Sequence, residues 1–363
     1  RCLYRPVGFK SIRMNMKGKM KSVIATAPGV VEIREIDMPV ITPYQALVKT
    51  EMVALCNATD SKLIAGHFPG ADQFPIALGH ENVGIVIEVG SKVRNFKVGD
   101  RVIGGLNASF TTPGLNSAWG GFCEYVVVND FEVLQEEGLA TPEQGCWDSF
   151  EIQNAIPADI QPEEAVIACT WREIVGAFKD FRLEPGKKVM VFGAGPVGLS
   201  FVKLGKLFGL GQVDIVDMLP AKLELARQMG ADNGYTPAEI ATPEFIAAAN
   251  RSYDTVIDAV GLPSIVHSAL PLIKMAGDIC VYGVMTKNPT IDLDQAPYNF
   301  NLFIHRWPTR SEEKRAMIAL TEWIREGRLS ASDFISHRFK IEQINEALEA
   351  VKRNEVIKTV LTF

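Results

Sequence analysis

A glycine-rich turn between an apolar strand and an apolar helix constrains the fold of this chain more than any other feature. Residues 188–198 read Lys-Val-Met-Val-Phe-Gly-Ala-Gly-Pro-Val-Gly, which is the pattern G-x-G-x-x-G. In that pattern Gly193 permits a tight turn, Gly195 lets the backbone approach a pyrophosphate, and Gly198 allows close packing of the helix on the sheet. The strand before it and the helix after it favour a dinucleotide site over a glycine turn without a ligand.

An acidic residue follows at the position that selects the nucleotide. Asp217 ends the next predicted strand, 19 residues after Gly198. A carboxylate there accepts hydrogen bonds from the ribose hydroxyls of NAD and repels the 2′-phosphate of NADP. Lys222 could approach the ribose, but a solvated helix residue is the simpler interpretation. We predict NAD as the cofactor, bound also by Pro196 and Val197, because unpaired N–H groups of a first helical turn attract phosphates.

The chain of 363 residues is long for a single hydrophobic core. Residues 21–135 contain short strand patterns separated by turns, which indicates a barrel-like β domain. From about residue 160, strand and helix patterns alternate, which is typical of βαβ units in a parallel sheet. We predict that residues 161–305 form a Rossmann domain and that residues 21–160, together with residues 306–363, form a second domain.

The composition excludes several classes of partner. The net charge of −6 gives no sign of a basic nucleic-acid-binding face, and no apolar run approaches the roughly 20 residues that span a membrane. Residues 1–20 are basic but have no apolar stretch of a secretory signal. We expect them to be an extension that is disordered or foreign to the fold. Six scattered cysteines without C-x-x-C spacing favour reduced thiols and a cytoplasmic location.

One histidine stands at the start of a strand with an acidic neighbour. His80 and Glu81 lie between Gly79 and Gly84, directly before an apolar run, which suits a cleft better than a core. A lone histidine is usually structural. Zinc prefers thiolate and imidazole ligands, however, and Cys56 upstream and Cys169 downstream could supply thiolates.

These segments together resemble the zinc-dependent medium-chain dehydrogenase/reductase family, which includes alcohol and polyol dehydrogenases. The resemblance covers about residues 21–363 and implies a GroES-like β-barrel catalytic domain, completed by C-terminal residues, beside a doubly wound Rossmann domain. It also implies a homodimer or homotetramer, paired through Rossmann sheet edges near residues 279–303. The resemblance rests on Cys56 with Thr59 and Asp60, residues 79–81, 98–102 and 120–125, residues 193–198 with Asp217, and residues 253–261.

The resemblance also implies a site. Cys56, His80 and Cys169 match the ligands of one catalytic zinc. Glu81 matches a residue that lies behind the ligands or exchanges with them, and Asp60 matches a carboxylate that orients the metal-bound histidine.

Two further residues match the chemistry of the family. Thr59 matches the hydroxyl that hydrogen-bonds the alcohol and begins a proton relay. Lys62 stands where some relatives carry the relay's histidine, so that it could relay protons, bind ribose or substrate, or simply be solvated.

Two departures from the family pattern matter. Cys56 lies four residues before Asp60 rather than three, so that Asn57 occupies the usual ligand position. Because zinc binds thiolate far better than a neutral amide, we predict that the loop bulges by one residue and that Cys56 is the ligand. Residues 102–121, where many relatives hold a structural zinc, contain no cysteine, and we predict no structural zinc.

The predicted reaction is reversible hydride transfer between an alcohol carbon and NAD. A polyol or sugar is the preferred substrate, on the polar residues 107–117 and on Lys62. A zinc-free quinone or enoyl reductase that uses NADPH and a non-catalytic nucleotide-binding protein are the alternatives. Three tryptophans could line the pocket, although residues of this type are more often packing residues: Trp119, Trp147 and Trp171. We expect Glu173 to anchor a helix. We expect Cys123, Cys146 and Cys280 to be packing residues.

Overall fold

The computed structural model describes residues 18–285, 289–305, 307–353 and 356–363. The described residues form two compact units, one that runs up to residue 169 and resumes at residue 324, and one that lies between residues 170 and 323. The predicted domain limits, 160/161 and 305/306, precede the helices inside which this division falls. Of the extension expected at residues 1–20, residues 1–17 lie outside the described residues. The first strand begins at Lys19.

The first unit begins with nine strands, two helices and the start of a third helix, which continues into the second unit. The strands are β1 Lys19–Ala27, β2 Val30–Asp37, β3 Gln45–Leu55, β4 Ile76–Ala77, β5 Asn82–Val89, β6 Arg101–Ile103, β7 Asn116–Ser117, β8 Tyr125–Asn129 and β9 Asn154–Ile156. The helices are α1 Asn57–Ile64, α2 Phe131–Glu136 and α3 Pro162–Asp180, with short 3-10 turns at Pro142–Gln144 and Asp148–Ile152.

The second unit contains strands and helices in alternation. The strands are β10 Lys188–Phe192, β11 Gln212–Val216, β12 Asn233–Tyr235, β13 Tyr253–Asp258, β14 Ile273–Val281 and β15 Asn301–Ile304. The helices are α4 Pro196–Phe208, α5 Pro220–Gln228, α6 Pro237–Ile240, α7 Pro243–Ala249, α8 Pro263–Ala269 and α9 Arg310–Arg325. The chain then returns to the first unit through β16 Ile335–Lys340, α10 Ile344–Lys352 and β17 Lys358–Thr362, with 3-10 turns at Ala331–Asp333 and Ile341–Gln343.

Two sheets build the first unit. The larger has the order β16-β17-β3-β5-β6-β9, with β8 also paired to β3, and the smaller has the order β2-β1-β4-β7. Valines at residues 48, 86, 102 and 126, from four different strands, pack in its core, where β-branched side chains suit a pleated surface. The last strand, β17, pairs antiparallel with β3 and sets Thr359 opposite Leu55. The C-terminal residues therefore complete the larger sheet of this unit.

The second unit is a six-stranded parallel sheet. Its order is β12-β11-β10-β13-β14-β15, with the first strand along the chain at the centre. Strands β10, β11 and β13 are almost wholly buried, as expected for parallel strands that helices cover on both faces. The order is that of a doubly wound Rossmann sheet, and the predicted fold class is confirmed. In the described part of the chain, no helix combines the length and apolar character needed to cross a membrane.

A buried ionic triad joins α3 to α9 within the second unit. Arg172 Nε lies 3.0 Å from Glu313 Oε1, and Arg310 donates to Glu313 Oε2 at 2.8 Å. The two helices also approach closely, because a Cβ added to Gly176 would lie 2.9 Å from the Cα of Glu313. The division between the units falls inside both helices.

Candidate metal centre and nucleotide-binding turn

Three metal-binding side chains converge in the first unit. The ligand atoms of Cys56, His80 and Glu81 all lie within 4.8 Å of one another, and they are the one such group found among the described residues. Cys56 is the single residue between β3 and α1 and stands at the N-cap of the helix. Cys56 and the side chain of His80 are partly exposed, whereas Glu81 is buried. The three donors, thiolate, imidazole and carboxylate, form a set that zinc accepts.

The predicted loop bulge before Asp60 is wrong. No extra loop residue separates the strand from the helix, since α1 begins directly after Cys56. The additional residue forms part of a helical turn instead, in which the N–H of Asp60 donates to the carbonyl of Cys56 at 2.9 Å. Cys56 and Asp60 are thus one turn apart on the same side of the helix start. Asn57 donates from Nδ2 to the carbonyl of Ile357 at 3.4 Å.

Asp60 lies behind the histidine, as a carboxylate that orients a metal ligand would. Its Oδ1 is 3.7 Å from His80 Nδ1, and its Oδ2 accepts from the N–H of Cys56 at 2.9 Å. Burial raises the pKa of Asp60 to about 6, against the opposing effect of His80. Both Asp60 Oδ1 and His80 Nδ1 are buried without a hydrogen-bond partner in the described structure. A small movement of either side chain would satisfy both atoms together.

A buried lysine that sequence reasoning missed holds Glu81. Lys358 Nζ lies 2.8 Å from Glu81 Oε1 and 2.6 Å from Oε2, and both side chains are at most 5% exposed. Burial alone would lower the pKa of Lys358, but Glu81 and Cys56 outweigh it and raise that pKa. The only signal in the sequence was a lysine within the apolar final strand, a residue type that is seldom buried unless paired.

The electrostatics of the group match a metal site. Burial alone would lower the pKa of His80, but its hydrogen bond with Cys56 and the charges of Asp60 and Glu81 raise the pKa to about 10. Without a metal, the imidazole is therefore a cation that compensates the surrounding anionic groups. A divalent cation bound to the same donors would replace that proton. The residues present thus fit a zinc ion.

Cys169, the third predicted ligand, does not belong to this group. It lies in α3, is buried, and donates a weak hydrogen bond from Sγ to the carbonyl of Asn82 at 3.6 Å. The structure therefore brings Cys56 and His80 together with Glu81 rather than with Cys169. The two predicted relay residues, Thr59 and Lys62, lie on α1 and are partly exposed.

The three tryptophans have different surroundings. The ring centroid of Trp119 is 5.2 Å from that of His80, whereas Trp147 stacks on Phe150 at 6.4 Å. Trp171 is fully buried. Trp119 is therefore the one of the three that stands against the metal-binding group.

The remaining candidates pack or anchor. Glu173 accepts from the hydroxyl of Tyr282 at 2.9 Å, which ties α3 to the end of β14 as expected for an anchoring residue. Burial raises the pKa of Cys123 to about 11, so that its thiol stays protonated. Cys146 and Cys280 are also buried, and none of the five described cysteines forms a disulfide.

The glycine-rich turn of the second unit has the geometry that a pyrophosphate needs. Gly193 has φ +96°, a conformation that favours glycine, and a Cβ on Gly198 would lie 1.7 Å from the carbonyl oxygen of Gly193. Around Gly195, by contrast, a Cβ would meet nothing within 4 Å. Helix α4 begins at Pro196, so that its first turn points unpaired N–H groups toward this open space.

Asp217 is tied to this turn by backbone hydrogen bonds. Its Oδ2 accepts from the N–H of Ala194 at 2.7 Å and its Oδ1 from the N–H of Leu219 at 2.9 Å. The carboxylate is partly exposed beside the turn, where it can meet a ribose. Lys222 lies on α5 and is partly exposed.

A second carboxylate that sequence reasoning left without a role shapes a neighbouring loop. Asp258, at the end of β13, accepts from the backbone N–H groups of Val260, Gly261 and Leu262 at 2.7–3.1 Å. Burial raises its pKa, although the three N–H groups oppose that rise. A Cβ on Gly193 would lie 2.6 Å from Val260 Cγ2. The loop that Asp258 fixes therefore packs directly on the glycine-rich turn.

Two family models match this chain, one in each unit. The family model described as "Alcohol dehydrogenase GroES-like domain" matches residues 42–137, and "Zinc-binding dehydrogenase" matches residues 196–322. A sorbitol dehydrogenase of Bombyx mori is 27% identical over 346 residues, which cover 91% of this chain and 95% of the relative.

Two solved structures share the fold. A short chain alcohol dehydrogenase of Escherichia coli CFT073 in complex with NADH superposes with a TM-score of 0.77 at 22% identity, over 95% of this chain and 99% of that one. Galactitol-1-phosphate dehydrogenase of Escherichia coli gives 0.75 at 24% identity, over 95% and 100%. The chain belongs to the zinc-dependent medium-chain dehydrogenase/reductase family of alcohol and polyol dehydrogenases.

Proposed function

We propose that this chain is a zinc-dependent oxidoreductase that transfers a hydride between an alcohol and NAD, with a polyol, sugar or related secondary alcohol as substrate. The observation that carries the proposal is the convergence of Cys56, His80 and Glu81 within 4.8 Å. A zinc-free reductase on the same fold would have no use for this set of donors.

We assign Cys56 and His80 as two of the zinc ligands, and the closeness of their ligand atoms supports this assignment. For the third, Glu81 and Cys169 compete. The position of Glu81 beside the other two supports it, although its carboxylate must then share its charge with Lys358. Cys169 would have to give up its contact with the carbonyl of Asn82. When bound, zinc supplies a Lewis acid for the substrate oxygen, provided that one coordination position stays open.

The protein side chains have separate tasks in this proposal. Asp60 holds the imidazole of His80 from behind, and its burial keeps water away from that contact. The hydroxyl of Thr59, on the exposed side of α1, takes the proton of the alcohol and passes it outward. Lys62, one turn further along the same helix, either continues this transfer or binds a polar part of the substrate.

The nucleotide is assigned to the glycine-rich turn. The open space at Gly195 supports binding of the pyrophosphate. Pro196 starts the first turn of α4 but has no N–H, and the N–H groups of that turn from Val197 onward support phosphate binding. We assign NAD rather than NADP because the Asp217 carboxylate is fixed beside the turn, where it would repel a 2′-phosphate.

We further propose a homodimer or homotetramer in the cytoplasm. Strand β15 forms one edge of the Rossmann sheet. Near that edge, Met275 is 59% exposed and Ile304 is 52% exposed. Apolar side chains at a sheet edge support pairing with a second copy. The mass of the protein in solution, measured by light scattering, tests this proposal, and a strict monomer would contradict it.

The activity is tested by NADH formation against a panel of polyols, sugars, amino alcohols and simple alcohols, with the zinc content of the same preparation measured in parallel. We expect turnover with at least one alcohol and its loss on chelation. Full activity after complete removal of zinc, with NADPH as the preferred cofactor, would favour the zinc-free reductase instead.

The third ligand is tested by two matched substitutions. If Glu81 is the ligand, Glu81→Gln lowers the zinc affinity by at least about 10-fold, whereas Cys169→Ser leaves the zinc affinity within about threefold of the wild type. The first figure is a lower limit, because loss of a residue that only supports a ligand already costs about 10- to 100-fold in metal affinity. Cys280→Ser, another buried thiol, is the control. The reverse order would assign the position to Cys169.

A further inference from the structure

Trp119 lies directly beside the histidine of the candidate metal centre. The ring centroids of Trp119 and His80 are 5.2 Å apart with the planes tilted by 55°, and Phe68 meets the same indole edge-on at 5.7 Å. Trp119 is partly exposed, and the side chain of His80 is 15% exposed. The indole is thus partly accessible to solvent next to His80, whereas Asp60 and Glu81 are buried.

The backbone holds Trp119 in an unusual conformation. Its φ is +66°, which is rare for a bulky residue, and Gly120 follows at +59°. Such a conformation persists only where the surrounding structure fixes it. Asn107 does so, because its N–H donates to the carbonyl of Trp119 at 2.8 Å and its Nδ2 donates to that of Gly120 at 3.2 Å.

The indole is also held from its other side. It packs against an apolar cluster of Leu106, Leu134, Cys146 and Phe150, all of them buried. A ring that is fixed by its backbone, by this cluster and by Phe68 cannot easily turn away from His80. Trp119 thus forms a rigid apolar wall beside His80, and the proposed reaction gives that wall no role.

We propose that Trp119 is a specificity-determining residue, whose indole limits the size of the substituent that an alcohol can carry beside the carbon to be oxidised. This inference rests on the proposed function, because it takes His80 as a zinc ligand and an alcohol as substrate. A rigid aromatic wall accepts a small or flat C–H-rich group and excludes a bulky one. Pockets of this kind separate substrates that differ by one or a few methylene groups by about 10- to 200-fold.

The first experiment compares kcat/KM for 2-butanol and 1-phenylethanol. In Trp119→Ala we expect the ratio of 1-phenylethanol to 2-butanol to rise by about 10-fold or more over the wild type. Trp147→Ala is the matched control, because Trp147 packs on the same apolar cluster but stacks on Phe150 rather than on His80. If Trp119→Ala fails to fold, Trp119→Gly replaces it, since glycine adopts positive φ without cost.

A second experiment needs no turnover. Co²⁺ is titrated into the metal-free protein while indole emission is recorded, because a bound Co²⁺ ion quenches a nearby tryptophan. We expect Trp119→Phe to lose most of the quenching seen in the wild type, and Trp147→Phe to keep it. Quenching that is unchanged in Trp119→Phe would overturn the placement of this indole beside the metal.

The two proposals fail in different ways. A wild-type protein that oxidises at least one alcohol of the panel, but whose Trp119→Ala variant gains no more activity on 1-phenylethanol than Trp147→Ala does, would overturn the inference and leave the proposed function standing. A wild-type protein that oxidises no alcohol of the panel would contradict the proposed function itself.

Discussion

The nucleotide-binding turn and the candidate metal centre are assembled in opposite ways. The turn consists of consecutive residues from Gly193 to Gly198, and its shape follows from backbone angles and the absence of side chains. The metal centre gathers Cys56, His80, Glu81 and Lys358, which meet because β3 pairs with both β5 and β17. A local site tolerates changes elsewhere in the fold, whereas an assembled site depends on each segment that enters it.

The largest expected effect tests the assembled site at its least conventional residue. Cys56→Ser should lose zinc and lower kcat by at least about 10³-fold, more than the 10–100-fold typical of a lost partner behind a ligand. Cys123→Ser is the control, because that buried thiol donates to Ser22 and contacts no member of the group. Zinc content by elemental analysis and NADH formation are measured together. One tightly bound zinc and normal turnover in Cys56→Ser would show that this thiol only packs.

Substitution of Thr59, on the same helix, distinguishes loss of proton transfer from loss of the metal. Thr59→Ala should lower kcat by about 10²-fold while zinc stays bound, because a positioned acid–base hydroxyl is lost. Thr59→Ser keeps the hydroxyl and should retain much of the activity. Steady-state kinetics with parallel zinc analysis checks both. A near-normal kcat in Thr59→Ala would remove this residue from the proton relay.

Substitution of Asp217 tests the nucleotide-binding turn in the same way. The wild type should prefer NAD, and Asp217→Ala should reduce the preference for NAD over NADP by about 10- to 100-fold. The reason is that like charges about 4 Å apart repel by about 1 kcal/mol in water and about 4 kcal/mol near a protein surface. The ratio of kcat/KM for NAD and NADP is the measurement. Glu224→Gln, an exposed carboxylate on α5, is the control. A wild type that prefers NADP would contradict the assignment.

The smallest expected effect is a pH dependence of the zinc affinity, which nucleotide binding at the glycine-rich turn should not share. The pKa of His80 is raised to about 10 in the metal-free protein, so that zinc must displace a proton at every pH below that value. The zinc affinity should therefore rise by at least about 10-fold for each pH unit between pH 6 and pH 8, with a further contribution from the Cys56 thiol wherever it must also lose a proton, measured by competition with a chromophoric chelator. A free histidine would lose its own part of this slope above about pH 6.5. A slope that flattens at pH 7 would contradict the environment described for His80.

The contrast also explains which parts could be predicted from the sequence. The Rossmann sheet was predictable because strand and helix patterns alternate, and the glycine-rich turn because each glycine has a steric reason visible in order along the chain. The metal-binding role of Cys56, His80 and Cys169 was predicted only through family resemblance. The structure keeps the first two together.

What could not be predicted depends on tertiary pairing. Lys358 meets Glu81 only through the antiparallel register of β17 with β3, which no local pattern encodes. The extra residue before Asp60 was expected to bulge the loop, yet it extends a helical turn, because the N–H of Asp60 finds the carbonyl of Cys56. The left-handed backbone of Trp119 is equally invisible, since the residues that fix it lie on a separate segment around Asn107.

The ionic triad of α3 and α9 bears on how such enzymes could be recombined. A hybrid that exchanges the nucleotide-binding unit with that of a relative has its natural crossover points inside these two helices. A crossover that falls between residues 172 and 313 takes the two helices from different parents. Glu313 then keeps Arg310 of its own helix but can lose Arg172, and removing one partner of a buried ion pair costs about 3–5 kcal/mol. Any residue larger than glycine at position 176 would also press on Glu313. Both helices should therefore be inherited as one block, with the crossovers placed before residue 162 and after residue 325.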